Sequence, residues 1–257
     1  MSWRGNIFFE TGWLLYDGPV APTDAHAHHA FQIMLAAAPP VAIASDSRST
    51  AATTIVTEVA CIPPDVLHAF ASASQRVAIL YIAPESRAGR QLANGLAGAS
   101  DDPNTWISAG AALRGVCGHR LDSWEGARAV VDAALGSLIK VDVRARPWPP
   151  VIQRLVKLLP DRLDRELRFG ALAAELDISE GRLAHLVTEY LGIPFRPYVL
   201  WLRLQRSAVE IARGRAITEA AHHAGFSDGA HLSRTFKRMF GIAPSEVASF
   251  AQWHVAS

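Results

Sequence analysis

Four of the ten histidines fall in two short stretches, and the spacing of three of them lets those three act together. Residues 24–32 read DAHAHHAFQ. In an extended strand side chains alternate, so His26 and His28 face the same way. Residues 62–70 read IPPDVLHAF, and the Pro-Pro-Asp turn delivers His68 to the start of another strand. Neutral imidazoles suit Zn, Fe, Ni or Cu, whereas Gln32 is a weak ligand. Three His suffice to hold a metal. The same side chains can instead hydrogen-bond an organic ligand, or serve structure alone, and the residues leave all three readings open. Cys61, beside this stretch, reads as a small buried residue.

A second chemistry lies near the other end. Residues 217–246 read ITEAAHHAGFSDGAHLSRTFKRMFGIAPSE. Ile217, Ala220, Ala221, Leu232, Phe236 and Met239 supply apolar faces, and Gly225-Phe226-Ser227-Asp228 interrupts them with a Gly turn and a polar N-cap signal. A helix, a tight turn and a second helix result, the arrangement that lays a recognition helix in the DNA major groove. The second helix offers Ser227, Gly229, His231, Arg234, Lys237 and Arg238 to phosphates and base edges. His222 and His223, on the first helix, read as a polar face.

The pattern occurs twice. Residues 169–194 read FGALAAELDISEGRLAHLVTEYLGIP, with Leu172, Ala173, Leu176, Leu183, Leu186 and Val187 as the matching apolar set. Ser179 is the expected N-cap, and Arg182 and His185 lie on the helix it starts. The endings agree too: TEYLGIPFRPY at 188–198 parallels KRMFGIAPSEV at 237–247. Such duplication is a strong organisational feature. A helical segment from Pro194 to about Arg213 joins the motifs. Leu200, Leu204, Val209 and Ile211 give it an apolar core, and its length suits two recognition helices about one DNA turn apart.

On these residues, 150–250 resembles the DNA-binding domain of the AraC/XylS family of bacterial transcription regulators. The match runs through Leu172-Ala173, Ser179, Leu183, Gly192, Pro194, Tyr198, Arg203, Ile217, Ala220-Ala221, Gly225-Phe226-Ser227, His231, Ser233-Arg234, Phe236-Lys237, Gly241 and Pro244. The first motif departs from the pattern: His185, Val187 and Thr188 stand where Arg-x-Phe-Lys is usual. The histidine pattern resembles the cupin arrangement, where a His-x-His pair, a carboxylate and a later His converge inside a barrel. Gln32 stands in the place usually held by Glu. The resemblance implies a sensor domain, double-stranded DNA as partner, a small-molecule or metal effector, a homodimer and contact with RNA polymerase. Expected effector contacts are His26, His28, Gln32 and His68, with His26, His28 and His68 as metal ligands.

The elements that position these groups change character along the chain. Short β-rich runs appear at Trp13–Tyr16, Phe31–Leu35, Val41–Ile43, Thr53–Cys61 and Val77–Ile82, separated by Pro, Gly, Asp and Ser clusters. They predict a small barrel or jelly roll, cupin-like by the resemblance. Helices are expected over 85–97 and 124–139. Ala127, Val130, Val131, Ala134, Leu135 and Leu138 form a stripe that either covers the barrel or pairs with a twin. KVDVRARPWPP then ends in prolines that prevent a continuous helix. The expectation is a cupin-like sensing and dimerisation domain over 1–140, a linker over 141–149, and an all-α double helix-turn-helix domain over 150–257. Trp201 and Trp253 read as core or cap residues of the latter.

Charge adds little. The whole chain carries +1, so there is no general polyanion signature. From position 150 onward 14 Arg plus Lys face 11 Asp plus Glu, or +3, and the remainder is −2. No apolar run reaches the length of a membrane span, and the N-terminal residues do not read as a secretory leader, so a cytoplasmic protein is expected. Cys61 and Cys117 read as free thiols. The regulator reading has two rivals: a metal-dependent cupin enzyme, against which the absent Glu at 32 counts, and an architectural DNA-binding protein with a ligand-free barrel.

Overall fold

The computed structural model describes residues 3–37, 40–45, 53–95, 101–116, 121–139, 147–248 and 251–255. Cys117 and most of the expected linker, 141–146, lie outside them. The chain divides into two compact units. One joins Met1–Ala145 with Arg234–Ser257, and the other is Arg146–Ser233.

The first unit is rich in sheet. Its strands are β1 (Asn6–Glu10), β2 (Trp13–Val20), β3 (Phe31–Ala36), β4 (Val41–Ser45), β5 (Thr53–Thr57), β6 (Val59–Ile62), β7 (His68–Phe70), β8 (Ser74–Ile82) and β9 (Gln252–Val255). A six-stranded sheet runs β6-β3-β8-β2-β1-β9, and a three-stranded sheet runs β5-β4-β7. The expected run Thr53–Cys61 breaks at Glu58 because the chain changes sheet there, and Thr57 Oγ1 caps the break by donating to Val59 O at 2.8 Å. Among the described residues the hydrogen bonding gives two sheets rather than one closed ring of strands.

The larger sheet is covered on both faces, which explains why β3 is buried at all six positions. Ile33, Leu35, Cys61, Leu80 and Ile82 share one core with helix α3 (Trp124–Leu138). Met34, Ala36, Ala60, Ile62 and Ile79 share the other with Val41, Ile43 and Phe70 of the smaller sheet. Trp106 of helix α2 (Pro103–Gly110) fills this second core and is fully buried. Helix α1 (Arg87–Gly95) completes the layer around α3. The apolar stripe of α3 packs into its own chain: Ala127, Val130, Val131, Ala134 and Leu138 are buried in the first core. Burial pushes the Cys61 thiol up to about 12, so it is a packing residue.

Residues 234–257 contribute to this unit. Ile242 and Val247 enter the second core, with Val247 on helix α10 (Pro244–Ala248). The strand β9 pairs in parallel with β1, Asn6 opposite Gln252 and Phe9 opposite Val255. Trp253 therefore packs in a sheet rather than capping a helical domain, and His254 stacks on Phe8 at 4.6 Å.

The second unit is helical. Helices α4 (Pro150–Leu158), α5 (Phe169–Glu175), α6 (Glu180–Leu191), α7 (Phe195–Ala212) and α8 (Ile217–Ala224) lie within it, and α9 (Gly229–Phe240) begins in it. Helix α7 buries Tyr198, Trp201, Leu202, Leu204 and Ile211, whereas Leu200 and Val209 are only half-buried. Arg203 Nε donates to Leu163 O at 3.1 Å, and Arg206 Nη1 donates to Pro160 O at 3.3 Å. These two arginines hold a loop on α7.

Both turns need a left-handed residue. Gly225 ends α8 at φ +86°, and Asp177 takes φ 57° in the turn after α5. A Cβ on Gly225 would also collide with the Leu163 carbonyl. Gly225→Ala is expected to lower unfolding stability by more than about 2 kcal/mol. The Cβ of Gly181→Ala would meet nothing within 4 Å, so that change should leave stability level or raise it. Urea denaturation of the two variants checks this pair, and similar losses would contradict the account.

Candidate functional site

The three histidines do meet. His26, His28 and His68 are 2%, 1% and 1% exposed, and one ring nitrogen from each lies within 4.8 Å of the others. Ring centroids are 4.4 Å apart for His26–His68, 5.1 Å for His28–His68 and 5.8 Å for His26–His28. The route differs from the expected strand. His26 makes an isolated antiparallel bridge to His68, with both backbone bonds at 2.9 Å, and His28 follows in irregular chain. The turn after Pro63-Pro64 fixes this segment. Asp65 takes φ 62°, its N–H donates to His28 O at 2.9 Å, and its carboxylate pairs with His29 Nδ1 at 2.8 Å.

Gln32 reaches the cluster from β3. Its Oε1 lies 3.0 Å from His28 Nε2 and 3.2 Å from His68 Nε2, while its amide nitrogen is buried with no partner among the described residues. Tyr81 is opposite Gln32 in β8 and meets the His28 ring edge-on at 5.1 Å. Burial drives every imidazole toward neutrality. His26 falls to about 4, the neighbouring His28 reinforcing the effect, and His28 and His68 are also lowered, His68 strongly. The cluster presents uncharged nitrogen donors in an apolar wall, which fits it for a cation or a hydrogen-bonding ligand.

Residues that sequence reasoning missed close the cluster. Phe240 stacks on His28 at 5.7 Å and meets Tyr81 at 5.8 Å. Asp24 accepts from His26 Nδ1 through its carbonyl at 2.8 Å, donates its N–H to Gly241 O at 3.1 Å, and pairs its carboxylate with Lys237 Nζ at 3.0 Å. The contacts of Phe240 with His28 and of Asp24 with Gly241 and Lys237 join positions more than two hundred residues apart, and no local pattern marks them.

The second set of residues lies on α6 and α9. Each helix has 12 residues, a side-chain N-cap and a left-handed Gly at its end. Ser179 Oγ accepts from Arg182 N at 3.3 Å, and Asp228 Oδ1 accepts from His231 N at 2.6 Å. Caps of this kind contribute about 1 kcal/mol each. Aligned on cap and Gly, Arg182 corresponds to His231, His185 to Arg234, Thr188 to Lys237 and Glu189 to Arg238. The exposed face of α9 therefore carries three permanent cations, against one on α6. There, His185 faces Glu189 at 3.5 Å.

Ser179, Arg182, His185, Ser227, Arg234, Lys237 and Arg238 are exposed, whereas Gly229 and His231 are half-buried. His231 is held by Ser227 Oγ at 3.2 Å and sits edge-on to Phe226 at 5.2 Å. The Lys237–Asp24 pair is exposed on both sides and contributes at most about 1 kcal/mol.

A protein-family model described as a helix-turn-helix domain matches residues 172–249. The uncharacterised HTH-type transcriptional regulator YidL of Escherichia coli K12 is 30% identical over 118 residues, covering 46% of this chain and 40% of that protein. The HTH-type transcriptional activator RhaS of E. coli O157:H7 is 29% identical over 94 residues, covering 36% of this chain and 34% of RhaS. The matches thus span less than half the length of these relatives. Unsaturated-fatty-acid-bound ToxT from Vibrio cholerae strain SCE256 superposes with a TM-score of 0.59 at 16% identity, covering 94% of this chain and 96% of ToxT. ToxT from V. cholerae O395 gives 0.55 at 13%, covering 94% of this chain and 98% of that one. This likeness establishes the fold: a sheet-rich domain followed by a helical one with two helix-turn-helix motifs. No described helix is long and apolar enough to cross a membrane.

The buried imidazoles carry a pH prediction. Folding depresses their pKa values, so the unfolded chain takes up protons first as pH falls below about 6.5. Their stabilising effect is complete above that pH and declines toward about 4, where His26 titrates in the folded protein. Thermal midpoints measured from pH 7 to pH 4 should fall less steeply for His26→Gln than for the native chain. Parallel slopes would contradict the assignment.

Proposed function

Because the C-terminal part of this chain is an AraC-type helix-turn-helix domain, we propose that the chain is a sequence-specific DNA-binding transcription regulator controlled by a small effector. The observation that carries the reading is the exposed cationic face of α9, with Arg234, Lys237 and Arg238 on a helix capped by Asp228. Arg forks suit guanine edges and phosphates, and Lys suits phosphates. Ser179, Arg182 and His185 on α6 form the companion contact, with Ser227, Gly229 and His231 at the start of α9. In this reading residues 1–140 sense the effector and support a homodimer, 141–149 link, and 150–257 read DNA and contact RNA polymerase. The relatives are transcription regulators, which counts against an enzyme.

The effector site in this proposal is the cluster of His26, His28, Gln32 and His68. Its support is the burial of four polar side chains in one place between two sheets, where unmatched polarity is costly. Effector binding biases an equilibrium between DNA-competent and incompetent states by its differential affinity for them.

Genome-wide footprinting of the full chain should return discrete promoter sites, and affinity for them should fall steeply as salt rises, because phosphate contacts release counterions. Discrete sites that are absent, or binding indifferent to salt, would sink the reading.

Arg234→Ala should weaken binding at a footprinted site by about 1–3 kcal/mol, and Arg182→Ala by less. The cause is the poorer cationic face of α6. A larger loss for Arg182→Ala in gel-shift titrations would reverse the assignment of the dominant helix.

A further inference from the structure

We propose that Asp24 sets the DNA affinity of this chain: its carboxylate stands on Lys237 Nζ, at the place a DNA phosphate takes in the bound state. The inference goes beyond the effector reading and rests on α9 being a DNA-reading helix.

The exposed residues of α9 after Gly229 are Ala230, Arg234, Lys237 and Arg238. They follow one another at i, i+4, i+7 and i+8, so they share one side of the helix. Leu232 and Thr235 are buried on the other side. Lys237 therefore presents its charge on the same face as both arginines.

An acid already occupies that lysine. Asp24 Oδ2 lies 3.0 Å from Lys237 Nζ. Among the described residues neither Arg234 nor Arg238 has such an ion pair. Carboxylate and phosphate are both oxyanions that accept from an ammonium group, and Lys237 is a compact point charge that serves either. DNA and Asp24 thus compete for one cation of the three.

The backbone keeps the competitor in place. Asp24 and residues 234–257 belong to the same compact unit. The Asp24 N–H donates to Gly241 O at 3.1 Å, just past the end of α9. Its neighbour Thr23 is fastened to β7 twice: Thr23 N donates to Phe70 O at 3.1 Å, and Thr23 Oγ1 accepts from Phe70 N at 3.0 Å. A Cβ on Gly241 would collide with the Asp24 carbonyl, so the segment lies tight against the helix end. Beyond it Ile242 is buried in the second core. The Asp24 side chain is 68% exposed and free to turn, but its backbone is pinned. The carboxylate stays within a side chain's reach of Lys237 when DNA arrives.

Two costs to binding follow. A phosphate has to displace the carboxylate from Nζ, and the displaced carboxylate then faces that phosphate as a like charge. Neither cost appears in folding stability, because an exposed pair contributes little there. Salt screens the repulsion, so the effect is largest at low ionic strength. Removing the charge while keeping the shape releases Lys237 for one full phosphate contact, which steepens the salt dependence of binding by about one unit of log K against log salt.

The test is a gel-shift titration of the full chain on a footprinted promoter fragment over a range of salt. Asp24→Asn should raise affinity by about fivefold or more at low salt, with the steeper slope. Asp132→Asn removes an exposed acid from α3 and should change affinity far less. In a Lys237→Gln background the gain from Asp24→Asn should vanish. No gain from Asp24→Asn overturns the proposal, and so does a gain that Asp132→Asn matches or that persists without Lys237. Thermal midpoints accompany each variant, and Asp24→Ser takes the place of Asp24→Asn in every comparison if the latter melts early. Failure of the native chain and all variants to bind the fragment counts against the regulator reading instead.

Discussion

Everything in the sheet-rich unit follows from the burial of its six-stranded sheet on both faces. A strand with water on one side can alternate apolar and polar residues; β3 cannot, and its six positions are all buried. In such a place each polar atom has to find a partner inside the protein. Gln32 and the three imidazoles are therefore committed to one another, or to something that joins them. The same burial keeps the rings neutral and leaves Cys61 inert.

The two helix-turn-helix motifs show one design executed with different side chains. Cap, helix length and closing Gly agree between α6 and α9, whereas the exposed faces do not. The left-handed turn residue also differs, Asp177 in one motif and Gly225 in the other. Backbone requirements thus persist where surface chemistry has diverged. Packing constrains the first and solvent tolerates changes in the second.

Legibility in the sequence tracked the range of the interaction. Caps, Gly stops and apolar periodicity are local, and α6, α7, α8 and α9 were all readable from them. The meeting of His26, His28 and His68 was also readable, although the assumed reason, a regular strand, was not what forms. The break at Glu58 was hidden because a strand that changes sheets keeps its composition. The stripe on α3 left two partners open, since either one buries the same residues. Asp24, Phe240 and β9 were invisible: a short exposed acid, one aromatic and four C-terminal residues acquire meaning only from partners far away in the chain.

The pairing of β1 with β9 also bears on how the chain is made. Asn6 through Phe9 wait for Gln252 through Val255, about 246 residues further along the chain. Contacts of that separation are slow to form because a long loop has to close first. On the ribosome, β1 emerges early and stands as an open edge until residue 255 is released. The nascent sheet thus passes through a stage in which five strands are in place and one row of backbone groups is unpaired. The interval of greatest exposure to misassociation lasts until β9 is made, after the helix-turn-helix unit has already had its chance to fold.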